Sequence, residues 1–275
     1  MKLLLGSYGF FDYKGYIDYN GEDYFSVPHI ILMIVLTFLL IALTILLRKT
    51  KKRNIKIFLR TVSILMICLE IIKISWETYF DMKFGRGFNY GGLLPLYICS
   101  LFMYVLPFVA FSKNEKVQNV AYAFLTTISI FGGLTNFYLL QILHTYPLFT
   151  YATFASVFYH FMMSFTGLLL LSTKTYTLKT IDIVNGWIPV LIFSLIVLPI
   201  NYYLQSKGFY PDYMLLMYGN GAPLLPQMSS FFINHNLQLI YSFIVIIGYM
   251  LISLLVVSIY KLIMLLFKKK KLVSN

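Results

Sequence analysis

Three side chains with chemical use fall inside apolar stretches of this 275-residue sequence: the thiol of Cys99, the imidazole of His160 and the carboxylate of Glu70. A thiol becomes a strong nucleophile when an imidazole takes its proton, and a carboxylate can hold that imidazole in the required tautomer. The same residues have plainer uses, since a buried cysteine is ordinarily a small hydrophobe. Glu70 also belongs to a second pattern. With Lys73 and Glu77 it forms an i, i+3, i+7 series that lines one face of a helix. Charges inside an apolar span are costly, so this face is expected to turn into a bundle or a wet cavity rather than into lipid. Its Glu–Lys pair serves equally as a structural ion pair or as part of a site.

Other chemistries lack their residues. There is no His-x-x-x-His, no Cys-x-x-Cys and no carboxylate cluster at ligand spacing, so no metal site is expected. Phosphate-loop and dinucleotide glycine patterns are missing, as is a Gly-x-Ser-x-Gly elbow, and no cofactor is expected. No histidine is followed by aspartate five residues later. The two cysteines, Cys68 and Cys99, lie 31 residues apart in apolar runs and make no disulfide pattern. The run Leu3–Leu5 is too short for the core of a cleavable signal peptide.

The elements that must position these groups follow from composition. The chain is 59% hydrophobic, 18% aromatic and 12% charged. A soluble domain carries about 25% charged residues. That excess of apolar surface excludes a soluble globular protein, a disordered chain and a coiled coil. It predicts an all-α fold, a polytopic transmembrane helical bundle. Seven runs have the length of a span, at residues 30–47, 57–80, 93–111, 117–140, 149–171, 183–204 and 237–267. No strand-like alternation of about ten residues recurs, which argues against a membrane barrel. The predicted organisation is an extracellular segment 1–28, a seven-span domain 29–267 and a basic tail 268–275. Its outer loops are 81–92, 141–148 and 205–236, and its basic cytoplasmic loop is 48–56.

Positive charge sets the orientation. Arg48, Lys49, Lys51, Lys52, Arg53, Lys56 and Arg60 cluster between the first two spans or just inside the second. Lys113, Lys116, Lys174, Lys179, Lys261 and Lys268–Lys271 fall on the same face, and the opposite face holds only Lys2, Lys14, Lys83, Arg86 and Lys207. By the positive-inside rule the richer face is cytoplasmic, with the N-terminus outside and the C-terminus inside a cell membrane. The net charge of +12 is then an orientation signal, with attraction to anionic lipid, and no nucleic-acid partner is expected. Membrane lipids are the expected partners; a homo-oligomer or a membrane partner stays open.

Counting about 1.5 Å per residue places Glu70 roughly 15 Å below the outer surface, Cys99 about 9 Å and His160 about 16 Å. Three helices thus bring a carboxylate, a thiol and an imidazole into the outer half of the bilayer. His29 and His235 sit at the outer mouths of the first and last spans, and His144 follows the fourth. A polar crevice opening outward accounts for these placements together. Tyrosines near the outer ends, among them Tyr90, Tyr146 and Tyr202, are ordinary headgroup-level anchors.

The stretch Leu94-Pro95-Leu96-Tyr97-Ile98-Cys99 resembles the Leu-Pro-Leu-His-x-Cys signature of the YwaF-type integral membrane family, with Tyr97 at the signature histidine. That family is mostly bacterial and has an animal branch. Glu70 with Trp76, His160 with the following Phe-Met-Met, and the stretch Asn201-Tyr202 through Asp212-Tyr213-Met214-Leu215 to Pro223-Leu224-Leu225 resemble further family features. The similarity runs from about residue 28 to 266. The animal branch resembles a cysteine-dependent phospholipid acyltransferase, which implies Cys99 as the acyl-accepting nucleophile.

Two classes of function follow. The first is a lipid acyltransferase or transacylase with Cys99, His160 and Glu70 as catalytic residues. Backbone amides freed near Pro95 would stabilise an oxyanion. Coenzyme A is not available outside, so the donor would be a phospholipid, its phosphate held by Lys83 and Arg86. Lys73, Glu77, Tyr97 and His235 complete the expected substrate contacts. The second class is a transporter, channel or small-ligand receptor with Glu70, Lys73 and Glu77 lining its path and Pro107, Pro189 and Pro199 supplying bends. A non-catalytic accessory membrane protein is the third option.

Overall fold

In the computed structural model the described residues are 9–14, 19, 21–90, 93–220 and 225–273, with side chains described as far as 266. Among them there are helices, turns and loops, and no β-strand. The long helices are α1 (Val27–Leu47), α2 (Lys52–Lys83), α3 (Leu101–Phe111), α4 (Glu115–Thr126), α5 (Ile128–Tyr138), α6 (Tyr151–Ser172), α7 (Asp182–Ser206), α8 (Leu225–Asn234) and α9 (Gln238–Val273). Short 3-10 turns sit at Gln141–His144 and Tyr213–Leu215. The most extensive packing pairs α5 with α6, α4 with α7, α7 with α9, and α2 with α3; α1 lies against α6.

Five units are long and apolar enough to cross a membrane: α1, the α4–α5 unit through His144, α6, α7 and α9 through Leu266. The second and third predicted spans fall outside this group for different reasons. Helix α2 has ample length at 32 residues, but Arg60, Glu70, Lys73 and Glu77 interrupt its apolar surface. The third predicted span, residues 93–111, is corrected more deeply. Only Leu101–Phe111 is helical, and residues 93–100 form bends and turns. Pro95 has no N–H to give to a helix and disfavours helical geometry at Leu94. The Leu94 amide instead donates to the Tyr213 hydroxyl at 3.3 Å, and the Leu93 amide to the Asn89 carbonyl at 3.0 Å. A continuous-helix depth for Cys99 therefore does not apply.

The fourth predicted span breaks in its middle. Thr127, at φ −121° and ψ −89°, separates α4 from α5. The Thr126 and Thr127 hydroxyls donate back to the carbonyls of Tyr122 and Ala123 at 2.7 and 2.6 Å, a pattern that bends helices.

Within the predicted outer loop 205–236, residues 212–217 are folded into the bundle. Tyr213, Met214, Leu216 and Met217 are fully buried. Buried backbone must find partners, and here side chains supply them. Asn201 donates to the Tyr213 carbonyl at 3.0 Å and accepts its amide at 3.3 Å. The hydroxyls of Tyr249, Tyr241 and Ser242 donate to the carbonyls of Met214, Leu215 and Leu216 at 3.0, 3.0 and 2.6 Å. The Asp212 carboxylate accepts the amides of Met217, Tyr218 and Asn220 at 3.0, 2.9 and 2.6 Å. These contacts hold Met214 and Leu215 in left-handed conformations, φ +61° and +59°, that side chains with a Cβ seldom adopt.

The two ends of the bundle differ in chemistry. At the basic end Arg60 Nε donates to the Ala110 carbonyl at 3.2 Å, Lys261 donates to the Thr180 hydroxyl, and the Tyr176 hydroxyl donates to Asp182 at 2.8 Å. At the other end an aromatic clasp gathers the described N-terminal residues. The Tyr13 hydroxyl donates to Asp81 at 2.8 Å, Trp76 donates to the Phe11 carbonyl at 3.2 Å, and the Tyr151 amide donates to the Phe10 carbonyl at 2.6 Å.

Candidate functional site

A cavity of about 650 Å³ opens between α5, α6, α9 and the segment 97–99. That volume lies within the range of small-molecule sites, about 300–1,000 Å³. Its wall is mostly apolar: Phe124, Ile128 and Phe131, the methionines Met163, Met214 and Met228, and Ile244, Val245 and Ile252. The polar groups on it are few, and they include Tyr97, Cys99, Asn136, Gln141 and His160. The Asn136 Oδ1 is buried and has no hydrogen-bond partner among the described residues.

Cys99 is placed here by the irregular segment that Pro95 begins. It precedes Ser100, the N-cap of α3, and its own carbonyl accepts the Phe102 amide at 3.0 Å. The thiol therefore sits one residue before the N-cap of α3. The amides of Tyr97, Ile98 and Cys99 have no protein acceptor among the described residues. Tyr97 is held edge-on against Tyr213, ring centroids 5.0 Å apart.

His160 reaches the same cavity from α6. Its Nδ1 lies 2.7 Å from the Ser156 carbonyl, so that nitrogen carries the proton and donates it. The Nε2 is then left with its lone pair. Gly133 of α5 makes room for this stretch of α6: a Cβ there would meet the His160 carbonyl at 2.5 Å and would also collide with the Ser164 side chain.

The charged face of α2 stands behind the cavity rather than on its wall. Glu70 is buried and pairs with Lys73, Oε1 to Nζ 3.4 Å, while about a third of the Lys73 side chain is exposed. Glu77, half-buried, lies one to two turns further toward the aromatic clasp. Glu70 thus reaches Lys73, and the partner that orients the imidazole is a backbone carbonyl. Lys83 and Arg86 are exposed beyond the end of α2, Lys83 near the Tyr79 and Phe80 rings and Arg86 5.0 Å over the Phe84 ring. His235 is exposed near the end of α8, its Nδ1 on the Phe231 carbonyl at 2.7 Å. None of these three lines the cavity. His29 is buried between the Phe25 amide and the Phe137 carbonyl, each at 3.0 Å, a fully occupied packing histidine. No group of three or more metal-ligating side chains occurs among the described residues. Both cysteines are free thiols.

Sequence reasoning passed over Asn136, Gln141 and Gly248, all on the cavity wall. For Asn136 a signal was present: an amide inside the run 117–140 is a polar group at a costly place.

An all-helical bundle with five units apolar enough to cross a bilayer, and a cavity within it, defines a multi-pass helical membrane protein. The chain belongs to the TMEM164 family, whose model matches residues 24–249. No curated protein and no solved structure matches it.

Proposed function

We propose that the chain is a lipid acyltransferase of the cell membrane, working through an acyl-thioester on Cys99. The observation that carries this is the shared cavity: a thiol at a helix N-terminus and an imidazole with one nitrogen already committed line one long apolar chamber. The YwaF-type resemblance of Leu94–Cys99 supports the same role for the thiol. Seven crossings, with the basic end cytoplasmic and the clasp outside, complete the proposal.

The steps use residues at the cavity. His160 Nε2 takes the Cys99 proton, and the thiolate attacks the ester carbonyl of a phospholipid. The C–S bond forms, the ester C–O bond breaks, and the departing lysolipid oxygen takes the proton back from Nε2. The free amides of the 97–99 segment are the donors available to the oxyanion. In the second half a lysolipid hydroxyl gives its proton to Nε2 and attacks the thioester. The C–O bond forms and the C–S bond breaks, and the thiolate recovers the proton. Lys73 has Glu70 as its counter-ion. That internal pairing of the α2 charges favours a positioning role over a conducting path.

The test is intact-mass and peptide mass spectrometry of the purified chain incubated with a phospholipid donor. An acyl adduct on Cys99 that a lysolipid acceptor discharges is expected. No adduct on Cys99, or transfer that survives Cys99→Ser, would leave transport or an accessory role ahead.

A further inference from the structure

Glycines inside the long helices divide into two kinds. At Gly133, Gly167 and Gly186 a Cβ would strike a neighbouring helix: the His160 carbonyl, the Leu125 carbonyl and the Thr127 hydroxyl respectively. Those three are explained by close helix approach, the usual reason for glycine in a membrane bundle. Gly248, in the middle of α9, is different. A Cβ built there meets nothing within 4 Å, and its backbone is not left-handed. Neither packing nor conformation asks for glycine, although glycine weakens a helix interior. What Gly248 does is line the cavity. Gly132 lines it too, from α5, and a Cβ there makes only an ordinary 3.4 Å contact with the end of Met163.

The position of Gly248 along the chamber follows from its helix. Ser242 on α9 bonds the Leu216 carbonyl, three residues on from Tyr213, against which the Tyr97 ring packs, and Ser253 reaches Thr127 at the α4–α5 break. Gly248 lies between them, about 9 Å along the axis from Ser242. Phe124, Ile128 and Ile252 line the chamber at the level of that break. Gln141 follows the end of α5 remote from that break, and Tyr97 packs on Tyr213, so these polar lining residues stand toward the other end. A chain-like ligand with its ester near Cys99 would run past Gly248 toward the break.

We infer that Gly248 keeps the inner part of this cavity open for a long acyl chain and so sets the chain length that the site accepts. The substrate class rests on the acyl-transfer reading above; the space itself does not. A side chain at 248 would block the path of the chain beyond its first several methylenes and leave the ester end untouched.

The test compares wild type, Gly248→Ala and Gly248→Leu as full-length chains in detergent, titrated calorimetrically with hexanoyl and stearoyl lysophosphatidylcholine. Loss of about two buried methylenes corresponds to about a tenfold loss of affinity. Gly248→Leu is expected to lose about that much for the stearoyl lipid and little for the hexanoyl one, whose chain ends short of position 248. Gly248→Ala, with one carbon added, carries the same prediction at smaller size and serves should the larger side chain prevent folding. Equal losses for both lipids, no loss for either, or no binding of either by wild type would overturn the assignment. Chain-length-dependent binding without any acyl adduct on Cys99 would sink the acyl-transfer reading alone and leave Gly248's role standing.

Discussion

His160 Nδ1 lies 2.7 Å from the carbonyl oxygen of Ser156, one turn back along the same helix. A carbonyl can only accept, so this bond fixes the tautomer and leaves Nε2 as the ring's base. The bond is to backbone, which separates two variants cleanly. His160→Ala should slow acylation of Cys99 by about 10²–10⁴-fold, the usual worth of a positioned general base. Ser156→Ala keeps the carbonyl and should leave the rate within about twofold, by the same accounting. Single-turnover formation of the Cys99 adduct measures both. An adduct rate indifferent to His160→Ala removes the imidazole from the mechanism.

The Glu70–Lys73 pair gives a prediction about stability rather than rate. The carboxylate is buried, and Lys73 is its ion-pair partner at 3.4 Å. Lys73→Leu strands that charge, at a cost of about 1–3 kcal/mol or more. Adding Glu70→Gln removes the stranded charge and should restore much of the loss. Thermal unfolding of the two variants in detergent checks the order; equal melting temperatures would mean that the pair is not coupled.

Much of the bundle was readable from the sequence because soluble folds seldom contain an apolar run of bilayer length. Helices α1, α6, α7 and α9 lie where runs of about 20 apolar residues predicted them. The segment 93–100 was not readable, because Leu, Ile and Tyr look the same to a hydropathy window whether helical or not. Pro95 was the available clue. What actually competes with the helix there is the Tyr213 hydroxyl, 119 residues away in sequence. The burial of residues 212–217, inside the stretch read as a loop, was not legible for a similar reason. It depends on hydroxyls from α9 that only the fold brings near. Cys99 and His160 were visible as singular residue types. That they line one chamber, and that Gly248 lines it with them, depends on helix rotations no single-sequence pattern encodes.

Adjacent glycines on α5 should respond oppositely to the same substitution. At Gly133 a Cβ collides with the Ser164 side chain and meets the His160 carbonyl at 2.5 Å, forcing α6 away from α5. Gly133→Ala should cost about 1–3 kcal/mol as overpacking does, and should move His160. Gly132→Ala makes an ordinary 3.4 Å contact and should be neutral or stabilising by up to about 1 kcal/mol through helix propensity. Melting temperatures together with the Cys99 acylation rate decide it; a benign Gly133→Ala would contradict the close approach.

Asn201 holds the in-folded loop by satisfying both backbone groups of Tyr213. Asn201→Leu leaves a buried N–H and a buried C=O without partners, which should cost about 1–3 kcal/mol for each group left unpaired. Because the neighbouring Met214 and Leu215 line the cavity, the same change should raise amide exchange in residues 212–218. Exchange rates there that match wild type would show that Asp212 and the α9 hydroxyls suffice.

The clasp between Tyr13 and Asp81 should open with alkali. Burial is the main reason that the Tyr13 hydroxyl holds its proton to higher pH than usual, and the hydrogen bond to Asp81 adds to it. In an unfolded chain that hydroxyl ionises near about pH 10. Above that pH the native state keeps a proton that the unfolded state has lost. Stability falls with rising pH wherever the native state binds more protons. The clasp's contribution is therefore complete below about pH 10 and is lost progressively above it. Trp76 reports this directly, since its ring lies 5.4 Å from that of Tyr13 and its N–H bonds the Phe11 carbonyl. Trp187, the second tryptophan, is bonded to the Ile246 carbonyl at 2.7 Å and can be replaced by phenylalanine to leave one reporter. Trp76 fluorescence in that background should be flat from neutral pH to about 10 and change above it. Tyr13→Phe should abolish the transition. Asp81→Asn should shift it to lower pH without removing it, because burial remains. A transition that persists in Tyr13→Phe would assign the alkaline change to other groups around Trp76, Tyr146 and Tyr151 among them, and remove Tyr13 from it.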